Sequence, residues 1–251
     1  MDNTQNFSGR ADNYLIGRPA YAELFIEYLY SEQGCSDRSI IADIGSGTGK
    51  FARQLLDKGS TVFCVEPNED MRNAAIKELC RYEKFNSVNG SAADSMLEDK
   101  TADFVTAAQA FHWFDVDMFY KECKRILKPD GKVILIWNMR DTSAEINRFS
   151  YDIYAEYCPA FRGFSGGIQK DDERIKQFFH NKYEYIEFDN PLIYDKDKFI
   201  RRSLSGSYSL KCGDDNYQEY MEALSRLFDK YAKDDVVTVP NKTVAYIGSV
   251  N

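Results

Sequence analysis

The sequence predicts an α/β fold, a mostly parallel sheet carrying helices on both faces. Three observations lead there. Strand-like and helix-like apolar patterns alternate five times over residues 40–137. The strand-like pieces are nearly continuously apolar, as at 40–42 and 132–137, which marks strands buried on both faces. The first of them runs into a turn with glycines at 45, 47 and 49, and that turn opens an amphipathic helix.

In chain order, Tyr14, Gly17-Arg18-Pro19 and Tyr21 precede a helix over residues 20–30, with Leu24, Phe25, Tyr28 and Leu29 on its core face. A loop at 34–38 leads into the first strand. After the glycine turn, Phe51, Leu55 and Leu56 recur at helical spacing until Gly59. The second strand, 61–65, ends in Glu66. Asn68 is placed to cap the next helix, with Glu69 and Asp70 favourable in its first turn. A third strand at 85–88 precedes the loop 89–94. The fourth, 102–107, leads to Gln109-Ala110-Phe111-His112-Trp113-Phe114. Asp115 caps a helix whose apolar face is Phe119, Cys123, Ile126 and Leu127. Lys128-Pro129-Asp130-Gly131 reads as a turn before the fifth strand at 132–137.

Beyond Asp141 the alternation stops. Helices are predicted over 143–157, 171–180 and 216–231, a glycine- and aromatic-rich loop over 159–167, and strand-like pieces over 183–188, 236–239 and 243–250. The chain therefore divides into a cofactor-binding core, 1–141, and a lid with the last sheet strands, 142–251, packed as one structural unit.

Composition narrows the function. The 251 residues, 43% hydrophobic, can bury a substantial core. No apolar run is long enough to span a bilayer, and residues 1–10 lack the apolar region of a signal peptide, so the reading is a cytoplasmic protein. The six cysteines form no C-x-x-C pair and read as reduced, buried thiols. With two histidines a His-rich metal centre is excluded, and no metal site is expected. A net charge of −8 without a basic stripe disfavours nucleic acid and favours a small-molecule substrate.

The candidates at 45–49, Glu66, 91–93, 109–113 and 138–141 all fall at carboxyl ends of strands, where open α/β sheets bind ligands. Glycines let a ligand approach bare backbone, and a carboxylate at Glu66 can accept bonds from both hydroxyls of a ribose. The half-site is thus a nucleoside site, with two readings. As Gly47-x-Gly49-x-x-Ala52 it satisfies a dinucleotide fingerprint; as Asp43-x-Gly45-x-Gly47-x-Gly49 it resembles motif I of class I S-adenosylmethionine-dependent methyltransferases.

The rest of the chain extends the second resemblance. Matching stretches are Tyr14/Gly17-Arg18-Pro19/Tyr21, Val65-Glu66-Pro67-Asn68, Gly90-Ser91-Ala92, Gln109-Ala110-Phe111-His112-Trp113, Leu127-Lys128-Pro129-Asp130-Gly131 and Ser205-Gly206-Ser207-Tyr208. Together they resemble the methyltransferase-11 type, in its small-molecule, trans-aconitate methyltransferase-like branch. The resemblance implies a Rossmann-like, seven-stranded, mostly parallel sheet with a mainly helical lid. It implies S-adenosyl-L-methionine as cofactor and S-adenosyl-L-homocysteine as product. Tyr14, Arg18, Asp43, Gly45, Ser46, Gly47, Gly49, Glu66, Pro67, Ser91, Ala92 and Gln109 would line the cofactor. Glu66 would hold the ribose, Ser91 and Ala92 the adenine edge, and Gln109 the methionyl end. Many relatives have an acid where Ser91 stands, so Asp94 is an alternative partner of the adenine amino group.

Methyl transfer needs alignment more than functional groups, and a base only if the acceptor must lose a proton. His112 is either that base or a pocket-wall histidine. Tyr21, Trp113, Arg140 and Tyr208 are candidate acceptor contacts, with Arg201 or Arg202 suited to an acidic acceptor; aromatic faces also suit a sulfonium. Arg18 is either a solvated arginine or a partner of the amino-acid carboxylate. The expected state is a monomer or homodimer. The competing readings are a nicotinamide-dependent oxidoreductase and a non-catalytic S-adenosylmethionine-binding partner protein. Neither the acceptor nor the atom methylated is legible.

Overall fold

The apolar run at the first strand becomes β1 (Ile40–Ile44), four of its five residues buried. The computed structural model describes residues 19–250. β2 (Thr61–Val65), β3 (Phe85–Val88), β4 (Ala102–Ala108) and β5 (Leu127–Arg140) run parallel to β1. β6 (Glu184–Asp189) closes the far edge. β7 (Leu192–Tyr194) and β8 (Val237–Val239) pair with each other outside this sheet, and β9 (Asn241–Gly248) lies antiparallel between β5 and β6. The main sheet has seven strands in the order β3-β2-β1-β4-β5-β9-β6. Strand order reverses between β1 and β4, so a crevice opens there at the carboxyl edge.

The continuous apolar strands are explained by two cores. Ala42, Ile44, Leu135 and Trp137 face one side, with Phe111, Phe119 and Phe178. Ile41, Ile134 and Ile136 face the other, with Phe25, Leu29, Phe51 and Leu55. The first side is covered partly by α4 and α6, the second by α1 and α2, in a helix series α1 (Glu23–Ser31), α2 (Lys50–Asp57), α3 (Glu69–Leu79), α4 (Val116–Ile126), α5 (Glu145–Tyr157), α6 (Glu173–Phe178), α7 (Lys196–Leu204) and α8 (Tyr217–Tyr231). Two predicted caps form: Asn68 Oδ1 accepts the Met71 N–H at 3.0 Å, and Asp115 Oδ1 accepts that of Met118 at 2.9 Å. The chain beyond β5 builds a third core, in which Tyr154 of α5, Phe161, Tyr194, Tyr220, Leu224 and Phe228 pack with Val237.

Several expectations change. Residues 128–131 do not end an element; they form an irregularity inside β5, where pairing jumps from Ala102–Leu127 to Phe104–Lys132. Extra residues can be accommodated in one strand of a pair as a bulge, and Lys128 Nζ closes this one on Asp103 Oδ1 at 2.8 Å. Residues 236–239 do not join the main sheet, because their partner is β7. The helix expected at 171–180 is shorter, since His180 and Asn181 adopt left-handed conformations that end it. On α1, Leu24 is 62% exposed and Ile26 is fully buried, so the core face is rotated from the predicted one. Four cysteines are buried, whereas Cys80 and Cys212 are exposed; all six are free thiols. Among the described residues no helix is long and apolar enough to cross a membrane.

Candidate functional site

The glycine turn is built for close approach. Gly45, Gly47 and Gly49 have φ of 69°, 57° and 76°, a region that L side chains rarely adopt. A Cβ at Gly45 would stand 2.7 Å from that of Ala110, and one at Gly49 would collide with the Leu79 side chain. The turn is therefore wedged between the loop after β4 and the helix α3. It is tied to β2 as well: the N–H groups of Gly45 and Ser46 donate to Val65 O at 2.8 and 3.2 Å.

Glu66 follows β2 and faces this turn. Its Oε2 accepts the Gly47 N–H and its Oε1 the Asn68 N–H, both at 2.9 Å. Only 8% of the residue is exposed. Burial pushes its carboxyl above the usual range, against the pull of those two N–H groups and of Arg72. Each oxygen retains acceptor capacity beyond the one amide it meets, as a carboxylate that takes ribose hydroxyls requires. Pro67 beside it is exposed.

Asp43 sits at the base of the turn, fully buried. Its Oδ1 accepts from Thr106 Oγ1 at 2.8 Å, while Oδ2 has no hydrogen-bond partner. Burial pushes the carboxyl up to about 7; the Thr106 hydroxyl lowers it and the Glu66 charge raises it. A polar residue inside the apolar run 104–108 of β4 was the available sequence signal for Thr106.

The loop after β3 uses Ser91 for itself. The Ser91 N–H donates to Asp94 O at 2.7 Å, and Ser91 Oγ accepts the Asp94 N–H at 3.2 Å. The Asp94 carboxylate accepts the Met96 N–H at 3.2 Å, and Ala92 packs half-buried against the core. Gln109, just past β4, has a φ of 57° and its Nε2 donates to Asn138 O at 3.0 Å. Asn138 is a junction that sequence reading placed at the pocket without a role. Its Oδ1 accepts from Thr243 Oγ1 at 2.7 Å and Asn190 Nδ2 at 3.0 Å, and its Nδ2 donates to Ala20 O at 3.1 Å.

His112 and Trp113 lie half-buried in a single 3-10 turn, Phe111–Trp113. The Trp137 indole N–H points at His112 Nδ1 from 3.5 Å, and the rings of His112 and Trp113 are 5.0 Å apart. A donor at Nδ1 is compatible with the tautomer that carries its proton on Nε2. Phe111 is a core residue, 1% exposed.

At the end of β5 the half-buried Arg140 guanidinium lies 4.5 Å from the Phe164 ring centroid and 5.5 Å from that of Tyr154. Its Nη2 donates to Tyr154 Oη at 3.5 Å. Burial lowers its pKa, the phenols of Tyr154, Tyr208 and Tyr194 raise it, and the net direction is up. Tyr208 packs on Phe161 and Tyr154 at 4.7 and 5.3 Å. Tyr21 is nearly buried, with its ring edge-on to Phe51 at 5.0 Å, so core packing accounts for it. Arg201 pairs with Asp197 at 2.7 Å on α7, and Asp141 is occupied by Ser143. Tyr14 and Arg18 lie outside the described residues. Among those residues no three His, Cys, Asp or Glu side chains converge as metal ligands would.

A sheet that reverses between β1 and β4, a glycine turn and a carboxylate pinned opposite it define an α/β protein with an open crevice at the carboxyl edge of its sheet. Residues 42–135 match the methyltransferase domain of type 11. That fold and domain are the ones S-adenosylmethionine-dependent methyltransferases use. The chain is 35% identical over 135 residues to an uncharacterized methyltransferase of Schizosaccharomyces pombe, covering 52% of this chain and 51% of that one. It is 32% identical over 143 residues to an uncharacterized methyltransferase of Mycobacterium tuberculosis, covering 56% and 55%. The match thus spans about half the length of these curated relatives. Among solved structures, a candidate type II methyltransferase from Anaeromyxobacter dehalogenans superposes with a TM-score of 0.61 at 20% identity, covering 93% of this chain and 98% of that one. A candidate methyltransferase of an antibiotic biosynthesis pathway from Anabaena variabilis gives 0.63 at 19%, covering 92% and 98%. These two likenesses concern the fold.

Proposed function

We propose that this protein is an S-adenosylmethionine-dependent methyltransferase acting on a small-molecule acceptor. The observation that carries the reading is the Glu66 carboxylate, buried at the end of β2 and fixed by the Gly47 and Asn68 N–H groups. Such a carboxylate is held in place before any ligand arrives, and it takes a diol without moving. The cradle a Cβ would fill at Gly45 and Gly49 fits a ligand lying against the backbone.

When bound, S-adenosylmethionine supplies a sulfonium-activated methyl for in-line displacement by the acceptor atom. The chain's own contribution is positioning and exclusion of water. Glu66 holds the ribose hydroxyls, the Ser91–Ala92 loop borders the adenine, and Gln109, steered by Asn138, borders the methionyl end. His112, with Trp137 donating to Nδ1, presents Nε2–H and orients an acceptor by donation rather than removing its proton. Residues 1–141 serve as cofactor-binding core, and residues 142–251 supply the lid over the acceptor. A net charge of −8 fits a small-molecule partner better than nucleic acid, and the reading places the protein in the cytoplasm as a monomer or homodimer.

The test is calorimetric titration of the purified protein with S-adenosylmethionine, S-adenosylhomocysteine, NAD and NADP. Micromolar affinity for the first two alone supports the reading. Binding of a nicotinamide nucleotide alone overturns it. Cofactor binding without turnover over a broad acceptor panel would favour a non-catalytic partner protein instead.

A further inference from the structure

Arg140 is an unusual cation. It projects from the end of β5 into the aromatic core of the lid, with its guanidinium near the faces of Phe164 and Tyr154. Among the described residues no carboxylate lies within ion-pair distance of it, and the groups that act on it electrostatically are the phenols of Tyr154, Tyr208 and Tyr194. Tyr154 Oη is already engaged by Ser203 Oγ at 2.9 Å. Tyr194 is 7% exposed, and its buried hydroxyl has no hydrogen-bond partner. A half-buried guanidinium without a counter-ion and a buried phenol without a partner are each costly, and an anionic ligand beside Arg140 would supply the missing counter-charge.

The same surroundings limit that ligand. Of the cations on α7, Lys196 and Arg201 are paired with Asp229 and Asp197, and Arg202 is buried with interactions of its own. The walls around Arg140 are the rings of Phe161, Phe164, Tyr154 and Tyr208. A second carboxylate against those rings would be desolvated without compensation, whereas a flat apolar body would pack on them.

We infer that the methyl acceptor is a monoanionic acid with an aromatic or similarly flat apolar body, its anionic group held by Arg140 with the Tyr194 hydroxyl and its body among the lid aromatics. This rests on the methyltransferase reading of the adjoining cofactor site.

The experiment titrates the protein, with and without saturating S-adenosylhomocysteine, with cinnamate, phenylacetate and indole-3-acetate, each beside its neutral amide, and with tricarballylate as an aliphatic polyanion. At least one monoacid is expected to bind about tenfold or more tightly than its amide, the scale of a charge-assisted bond. Arg140→Met should shrink that margin to about twofold or less, and Tyr194→Phe, a milder change, should reduce it by a smaller factor. S-adenosylhomocysteine affinity, read on the same samples, reports that the variants are folded. Equal affinity for every acid and its amide overturns the inference, as does a margin that survives Arg140→Met. Tighter binding of tricarballylate than of all three monoacids overturns the assigned class. An acid preference in a protein that binds no S-adenosylhomocysteine would leave the anion site standing and sink the methyltransferase reading.

Discussion

Glu66 Oε2 accepts the backbone N–H of Gly47 at 2.9 Å, joining the residue after β2 to the middle of the turn after β1. The turn after β1 and the carboxylate after β2, proposed above to hold the ribose, are thereby one unit. A rigid carboxylate loses little entropy when it binds a diol, which is the physical basis of preorganised recognition.

Glu66→Gln tests that unit with almost no change in size. A carboxamide can accept from one of the two amides but must turn its NH2 toward the other, which pairs donor with donor. The expected result is a loss of about tenfold or more in S-adenosylhomocysteine affinity, the scale of an unsatisfied buried donor. Wild-type affinity in a folded variant would remove Glu66 from the site.

Gly45→Ala should cost stability before it costs chemistry. A left-handed φ costs a non-glycine residue roughly 1–2 kcal/mol, and the new Cβ would meet Ala110 at 2.7 Å. A lower urea midpoint at unchanged slope is expected, reporting a loss of at least about 2 kcal/mol in unfolding free energy. A variant as stable as wild type would mean that the turn relaxes freely.

The Asp43 carboxyl makes a pH prediction. Its folded value, about 7, lies above the unfolded one, so the folded state holds the extra proton. By linkage this contribution is fully present below the unfolded pKa and is lost as pH rises through about 7. Wild-type stability relative to Asp43→Asn should therefore fall between about pH 4 and 7, by an amount on the order of 3 kcal/mol. A pH-independent difference would show that Asp43 is ionised throughout.

Asn138→Ala removes the acceptor of Thr243 and Asn190 and the donor to Ala20 at once. Asn190 Nδ2 and Ala20 O keep each other at 3.0 Å, so the loss falls on the buried Thr243 hydroxyl, whose missing acceptor costs roughly 1–3 kcal/mol. Chemical denaturation gives the stability, and hydrogen exchange near residues 190 and 243 should quicken. No change in either would reduce this junction to surface hydrogen bonding.

His112→Ala should leave S-adenosylhomocysteine affinity within about twofold, because its mapped ring contacts are Trp137 and Trp113. A large loss would move the ring into the cofactor's surroundings.

Much of the sheet could be read in advance because both of its faces are buried. Strands such as 61–65 and 132–137 are nearly uninterrupted β-branched and apolar runs, and the helices of the sheet region carry local signals such as Asn68 and Asp115 at their caps. Such signals act over three or four residues and depend little on the rest of the chain. Turn propensity at 128–131 was overridden because the register of β5 against β4 continues on both sides of it.

By itself, then, the sequence determined the alternating α/β order, the glycine turn that needs positive φ, and the carboxylate that ends β2. Tertiary structure decided what those groups meet. It buried Asp43 without a partner for Oδ2, turned the Ser91 hydroxyl into its own loop, set Trp137 against His112, and placed Arg140 among aromatic rings. It also separated β7 and β8 from the main sheet. The physical reason is range. Periodicity, capping and backbone strain are local properties of a few residues, whereas burial, pKa and ion pairing depend on groups brought from 100 or more positions away, as Asn138 and Thr243 are.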